Sequence, residues 1–275
     1  MGGALVTGAG RGLGLEISRG LAARGLAVHL TDVDGDAVEA AANEIGSGSF
    51  SSVLDVRDPD ACTAAARATA ERGGGLDVWV NNAGILATGL TWEQDHELRR
   101  AILDVNAHGT MNGTIAALGL MRPAGRGHII NIISLAGLVA APGEALYGAS
   151  KHAAIAFTIG TLADLRRSGE RGIRLSAVCP DGIWSPMLED KLDDPDAAPS
   201  FSGQLLSPAH VAAKTVELLD KPRVVLTIPR WRGVFLRLFD AFPGLAARLV
   251  PMVMADARRR QSRWKRRIEA GEVPG

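Results

Sequence analysis

Short apolar runs alternate with helix-length segments along almost the whole chain, and few folds accept that pattern. Residues 4–6, 27–30, 52–54, 78–80, 129–133, 174–178 and 224–228 read as strands. Residues 12–24, 36–45, 59–72, 93–121, 145–167 and 208–219 read as helices between them. The runs are apolar throughout rather than alternating, which is what strands need when both faces of their sheet are covered. The pattern predicts an α/β fold: a doubly wound parallel sheet of seven strands with right-handed crossovers.

The first strand runs into Thr7-Gly8-Ala9-Gly10-Arg11-Gly12-Leu13-Gly14, and a helix follows. Glycines there permit a tight turn and let backbone amides approach a pyrophosphate at the helix N-terminus. A glycine-rich turn is common in a chain with 33 glycines, but the strand before and helix after supply the context a dinucleotide cradle requires. Asp32 closes the second strand, where a carboxylate can accept from ribose hydroxyls and repel a 2′-phosphate. Its competing reading is a helix cap, as for Asp34 and Asp36. Arg11 pulls toward a 2′-phosphate; on balance NAD is preferred over NADP. Asp55-Val56, after the third strand, reads as an adenine contact or a cap. Asn81-Asn82-Ala83-Gly84, after the fourth, can satisfy loop backbone and leave room for a cofactor.

Tyr147 and Lys151 stand four apart on a helical pattern and so share a face, thirteen residues after Ser134. A phenol titrates near ~10, too high for a base at neutral pH. An adjacent ammonium with an oxidised nicotinamide would stabilise the phenolate. Ser134 would then hold the substrate oxygen during hydride transfer, chemistry that needs no metal. No His/Cys cluster has ligand spacing, so no metal site is expected.

With these residues placed, 1–229 resembles the short-chain dehydrogenase/reductase family in its shorter branch, on Thr7-Gly8-x-x-x-Gly12-x-Gly14, Asn81-Asn82-Ala83-Gly84, Ser134 and Tyr147-x-x-x-Lys151. The resemblance implies a Rossmann fold, a nicotinamide cofactor and a Ser–Tyr–Lys centre. It implies cofactor contacts at Gly8, Arg11, Gly12, Leu13, Gly14, Asp32, Asp55, Val56, Asn82, Ala83, Gly84, Tyr147, Lys151, Pro180, Ile183 and Ser185. It further implies that Asn106 helps hold a water relaying protons to Lys151, and that subunits pair through 93–121 and 145–167 as a homotetramer or dimer. One feature departs from the family. Asp181 stands where glycine is usual after the sixth strand, and Ser185 where threonine is common. Aspartate can occupy a left-handed conformation there and serine keeps the hydroxyl, so cofactor binding is expected to survive.

The segment 185–207 reads as a mobile, acidic excursion over the substrate pocket. Leu135, Leu138, Val139, Trp184, Met187 and Leu188 predict an apolar substrate: a steroid-like, terpenoid or long-chain alcohol or ketone. Beyond 229 a basic helical extension, 230–275, follows the core domain. Residues 221–275 hold 13 Lys/Arg against 4 Asp/Glu, while the whole chain balances at zero. Packing beside the substrate entrance is the leading reading of that extension, with its cations solvated or facing the acidic body. Peripheral membrane contact comes next, and nucleic-acid binding is disfavoured for want of interleaved aromatics. Two scattered cysteines and no signal-like N-terminus predict a cytoplasmic protein. The alternative to an enzyme, a nucleotide-sensing regulator on this fold, is disfavoured because Tyr147 and Lys151 are both present.

Overall fold

A strand sends successive side chains to opposite faces, and here both faces meet apolar helices. In β1 (Gly3–Thr7), Ala4 and Val6 point into one core cluster and Leu5 into another. Val78 and Val80 flank Trp79 in the same way along β4 (Leu76–Asn81). The computed structural model describes residues 2–272, so Met1 and 273–275, the outer ends of the two expected units, lie outside it. The remaining strands are β2 (Ala27–Asp32), β3 (Phe50–Val53), β5 (Gly127–Ile132), β6 (Ile173–Pro180) and β7 (Val225–Ile228). All pairings are parallel, in the order β3-β2-β1-β4-β5-β6-β7.

Helices α1 (Gly12–Ala22) and α2 (Gly35–Ile45) supply Leu13, Ile17, Leu21, Val38, Ala41 and Ala42 to the first core cluster. α3 (Pro59–Gly73) supplies Cys62, Ala65 and Ala66 to the second. α4 (His96–Leu103) is followed by α5 (Gly109–Ala124) and the long α6 (Ala145–Arg167). α7 (Pro186–Glu189) is a single turn, α8 (Pro208–Val216) packs on α1, and α9 (Arg230–Asp240) and α10 (Pro243–Glu269) form the extension.

Two elements differ from the sequence expectation. β3 begins at Phe50, two residues before the expected start, because Phe50 stacks on His29 of β2 with ring centroids 4.2 Å apart. An edge strand needs no continuous apolar run, so its signal is weak. The expected helix 93–121 is instead interrupted. Asp95 caps it by accepting from Leu98 N, and a π turn at Asp104–His108 separates α4 from α5. Such turns insert one extra residue and re-aim the side chains within them.

The order of strands reverses at β1, so the loops after β1 and β4 diverge and open a crevice between them. Asn82 ties these loops together. Its Nδ2 donates to the carbonyls of Thr7 and Gly8, while the amides of Asn82 and Ala83 donate to Thr7 Oγ1.

Candidate active site

Above the carboxyl ends of the strands lies a cavity of about 790 Å³. All the sequence-predicted site residues line it except Gly14 and Asn106. Gly14 is excluded by its packing: a Cβ there would fall 2.2 Å from Gly8 O, so it allows close approach of loop and helix. Gly12, with φ of 58°, turns its open side toward Ser185 across the cleft, where an added Cβ would stand 3.9 Å away. These bare backbones beside the N-terminus of α1 form a cradle that fits a dinucleotide pyrophosphate.

Asp32 ends β2 with Oδ2 accepting from Gly10 N at 3.1 Å and Oδ1 from Asp34 N. The cap reading of Asp32 fails, because α2 is capped by Asp34, whose carboxylate accepts from Ala37 N. Asp55 does not cap either. Asp58 caps α3, while Asp55 is held by the Arg57 guanidinium, which keeps its carboxyl below the usual range. Val56 both lines the cavity and packs into the core beneath α3 and α5. Asn81, by contrast, is structural. It accepts from Trp79 Nε1 at 2.7 Å and donates to Thr114 Oγ1 and Asn131 Oδ1.

Ser134 follows β5 with extended backbone, and its Oγ accepts from Ala136 N. One turn apart on α6, Tyr147 and Lys151 enter the cavity beside it. Burial pushes the Tyr147 phenol well above its usual range, the Glu144 carboxylate adds to that, and hydrogen bonding to Ser134 pulls it part of the way back. Lys151 Nζ donates to Ile132 O at 3.1 Å and lies 5.7 Å from the Tyr147 ring centre. Burial brings the ammonium down to about 8. A Cβ at Gly84 would stand 3.5 Å from Lys151 Nζ, so the glycine keeps that space open. Asn106, within the π turn, is fully buried. Its Oδ1 accepts from Ile85 N, and its Nδ2 donates to Ile85 O and Ser150 Oγ, joining the loop after β4 to α6.

At Asp181 the left-handed conformation open to aspartate is not used. Ser47 is the one non-glycine residue with positive φ among the described residues, so Asp181 is not left-handed. Its amide donates to Ile228 O, which continues the sheet register, and its side chain turns into the protein. There Asp181 Oδ2 lies 2.5 Å from Arg232 Nε of α9, an ion pair with both side chains largely buried. Arg232 Nη2 also donates to Ser202 Oγ. Burial raises the Asp181 carboxyl to about 6 even though Arg232 pulls it down.

The segment 185–207, expected as an irregular excursion, is folded and packed. It contains α7 and a 3-10 turn at Pro195–Phe201, and Leu188, Ala197, Phe201 and Leu205 make a small core of their own. An isolated bridge between Ile183 and Leu206 closes its base. α10 ties it down: Gln261 Nε2 donates to the carbonyls of Lys191 and Asp194, and Lys265 pairs with Asp193. Of the expected substrate-side residues, Leu135, Val139, Met187 and Leu188 line the cavity. Leu138 and Trp184 do not; they pack into neighbouring apolar clusters.

Sequence reasoning missed Glu144 and Ser200, and left open which residues of the extension face the cavity. Glu144 Oε1 accepts from Ser200 N and Ser200 Oγ, and burial raises its carboxyl to about 7. Leu236, Phe239, Val250, Met254 and Ala257 complete the apolar wall. Glu144 carried one signal, its place three residues before Tyr147 on the same helical side.

Residues 3–196 match the family model described as short chain dehydrogenase. The chain is 38% identical over 200 residues to 2-(R)-hydroxypropyl-CoM dehydrogenase of Xanthobacter autotrophicus, covering 70% of this chain and 79% of that protein. It is 34% identical over 224 residues to cyclopentanol dehydrogenase of Comamonas testosteroni, covering 78% and 88%. Among solved structures, a short-chain dehydrogenase/reductase from Burkholderia phymatum in complex with NAD superposes with a TM-score of 0.80. That match is at 26% identity and covers 88% of this chain and 94% of the other.

Proposed function

The chain belongs to the short-chain dehydrogenase family, and from that premise we propose that it passes hydride between NAD and the alcohol or ketone carbon of an apolar substrate, with Tyr147 as acid/base. Family membership makes it an NAD(P)-dependent oxidoreductase acting on CH–OH groups. The observation that carries the finer reading is the meeting of Ser134, Tyr147 and Lys151 in the same cavity as the glycine cradle.

The nicotinamide, when bound, supplies the site that gives or takes hydride. Ser134 Oγ holds the substrate oxygen, and the Tyr147 hydroxyl gives or takes its proton. Because its surroundings hold the phenol protonated, Tyr147 is poised to donate, the step that ketone reduction needs. Lys151, anchored on Ile132 O, carries a proton that is easily released, and Asn106, by tying Ile85 to Ser150, would order the backbone around a water that resupplies it. Asp32, relieved of capping duty, supports ribose recognition and hence NAD. The wall of Leu135, Val139, Leu188, Leu236 and Phe239 supports an apolar substrate, and a cyclopentanol dehydrogenase among the relatives accords with it. Exposed Leu103, Ile115 and Ile159 on α4, α5 and α6 support subunit pairing through those helices.

Absorbance of the reduced nicotinamide, followed with apolar and polar alcohols and ketones and with both cofactors, tests this reading. Turnover confined to sugars or charged substrates would overturn the apolar assignment. Tight NAD binding without turnover of any substrate would favour a regulator.

A further inference from the structure

In α9, Trp231, Val234, Phe235 and Leu238 recur at i, i+3, i+4 and i+7, the stripe by which a helix normally joins a core. Here that stripe faces solvent. The four residues are 54–66% exposed, while Gly233, Leu236 and Phe239 take the inward side. Phe242, at the bend into α10, is equally exposed.

α10 continues the surface. Its packed side carries Met254, Ala257, Gln261 and Trp264. At 100° per residue, Leu245, Met252, Arg259, Arg263 and Arg266 project from the opposite side in one line. Leu245 and Met252 make its first half mainly apolar, with Arg248 at its edge, and arginines alone make its second half cationic. Among the described residues Arg248, Arg258, Arg259, Arg263 and Arg266 make no ion pair; only Arg232 and Lys265 of the extension reach acids of the body. The acidic body therefore does not neutralise this charge.

We propose that the outer face of α9 and α10 docks on an anionic lipid bilayer, its apolar stripe entering the acyl boundary and its arginines meeting the headgroups. Apolar residues beside a cationic run on one helix face are what such a surface recognises. A second copy of this chain fits less well, because a two-fold interface sets a patch against itself and brings the arginines onto like charges or apolar groups. No single helix among the described residues is long and apolar enough to cross a membrane; α9 and α10 reach that length and apolarity only together, across a 119° bend, and their basic flank with its outward apolar stripe favours contact at the interface. Val253, next to Met252 but turned toward the packed side, lines the cavity while 40% exposed, so the docked face borders the cavity rim.

Vesicle binding tests this without any substrate, and so independently of the proposed activity. The full chain is sedimented with vesicles of phosphatidylcholine alone and of phosphatidylcholine with phosphatidylglycerol. We expect binding to the anionic vesicles that weakens with salt. Arg259→Glu with Arg263→Glu should lower it by at least about tenfold, and Leu238→Asp with Met252→Asp should abolish it. None of these four side chains lines the cavity, so turnover of a water-soluble substrate should persist in both variants. Absence of binding to anionic vesicles at low salt, or equal binding to neutral ones, overturns the proposal. So does a smaller assembly on gel filtration for Leu238→Asp with Met252→Asp, which would assign the face to a second copy.

Discussion

Asp181 on the loop after β6 and Arg232 on α9 are ion-paired at 2.5 Å in the wall of the active-site cavity. The residue that departs from the family pattern thus finds its partner in the extension that exceeds it. Gly203 makes room for the pair, since a Cβ there would fall 1.9 Å from Asp181 Oδ2. The loop beside the cradle and the helix that walls the substrate side are therefore coupled through one buried contact.

Removing one member strands the other. Arg232→Met should destabilise the fold by about 3 kcal/mol, as expected when a buried pair loses a partner. Asp181→Gly with Arg232→Met should recover part of that loss. Denaturant unfolding of the two single variants and the double variant measures the coupling, and strict additivity would show that the pair does not act as a unit. The Arg232→Met penalty should shrink as pH falls toward about 6 and level off below it, because without the arginine the Asp181 carboxyl takes up its proton at a higher pH than it does in the pair.

Tyr147→Phe keeps the ring and removes the proton. It should lower kcat by about 10²–10⁴, the range of general acid–base catalysis. NADH affinity, measured by fluorescence titration, should change little. Unaltered turnover would remove Tyr147 from the mechanism.

Asp32→Ala removes an acceptor at the end of β2 whose negative charge opposes a 2′-phosphate. KM for NAD should rise at least about tenfold through the lost charged hydrogen bonds, and KM for NADP should fall. Equal KM values for both cofactors in the unaltered protein would contradict the role given to Asp32.

Glu144 offers a pH test. Its carboxyl is raised from 4.5 to about 7 in the fold. Its contribution to stability is thus fully present below about pH 4.5 and is lost as pH rises through about 7. Glu144→Gln keeps an acceptor for Ser200 and removes the buried charge. The variant should melt higher than the parent by roughly 5 °C at about pH 8, from a linkage of up to about 3 kcal/mol. The gap should close by about pH 5. A gap that stays constant across that range would show that Glu144 does not titrate as described.

Local spacing determined much of this protein. Strand periodicity gave the seven strands and their two-sided burial, because alternation of side chains along a strand is a property of neighbouring residues. The glycines before α1, Asp32 at the end of β2, and Tyr147 one turn before Lys151 were legible for the same reason. Edge strand β3 and the π turn at Asp104–His108 were not, since one lacks a full apolar run and the other needs only one extra residue in a helix. The tertiary structure decided what distance in sequence conceals. It brought Arg232 to Asp181, set Glu144 beside Ser200, and turned Leu236 and Phe239 inward while leaving Phe235 and Leu238 in solvent. A helical stripe in the sequence specifies that one face is apolar, but only the path of the chain settles whether that face meets a core. Buried charge likewise finds its partner through packing, which no local periodicity encodes.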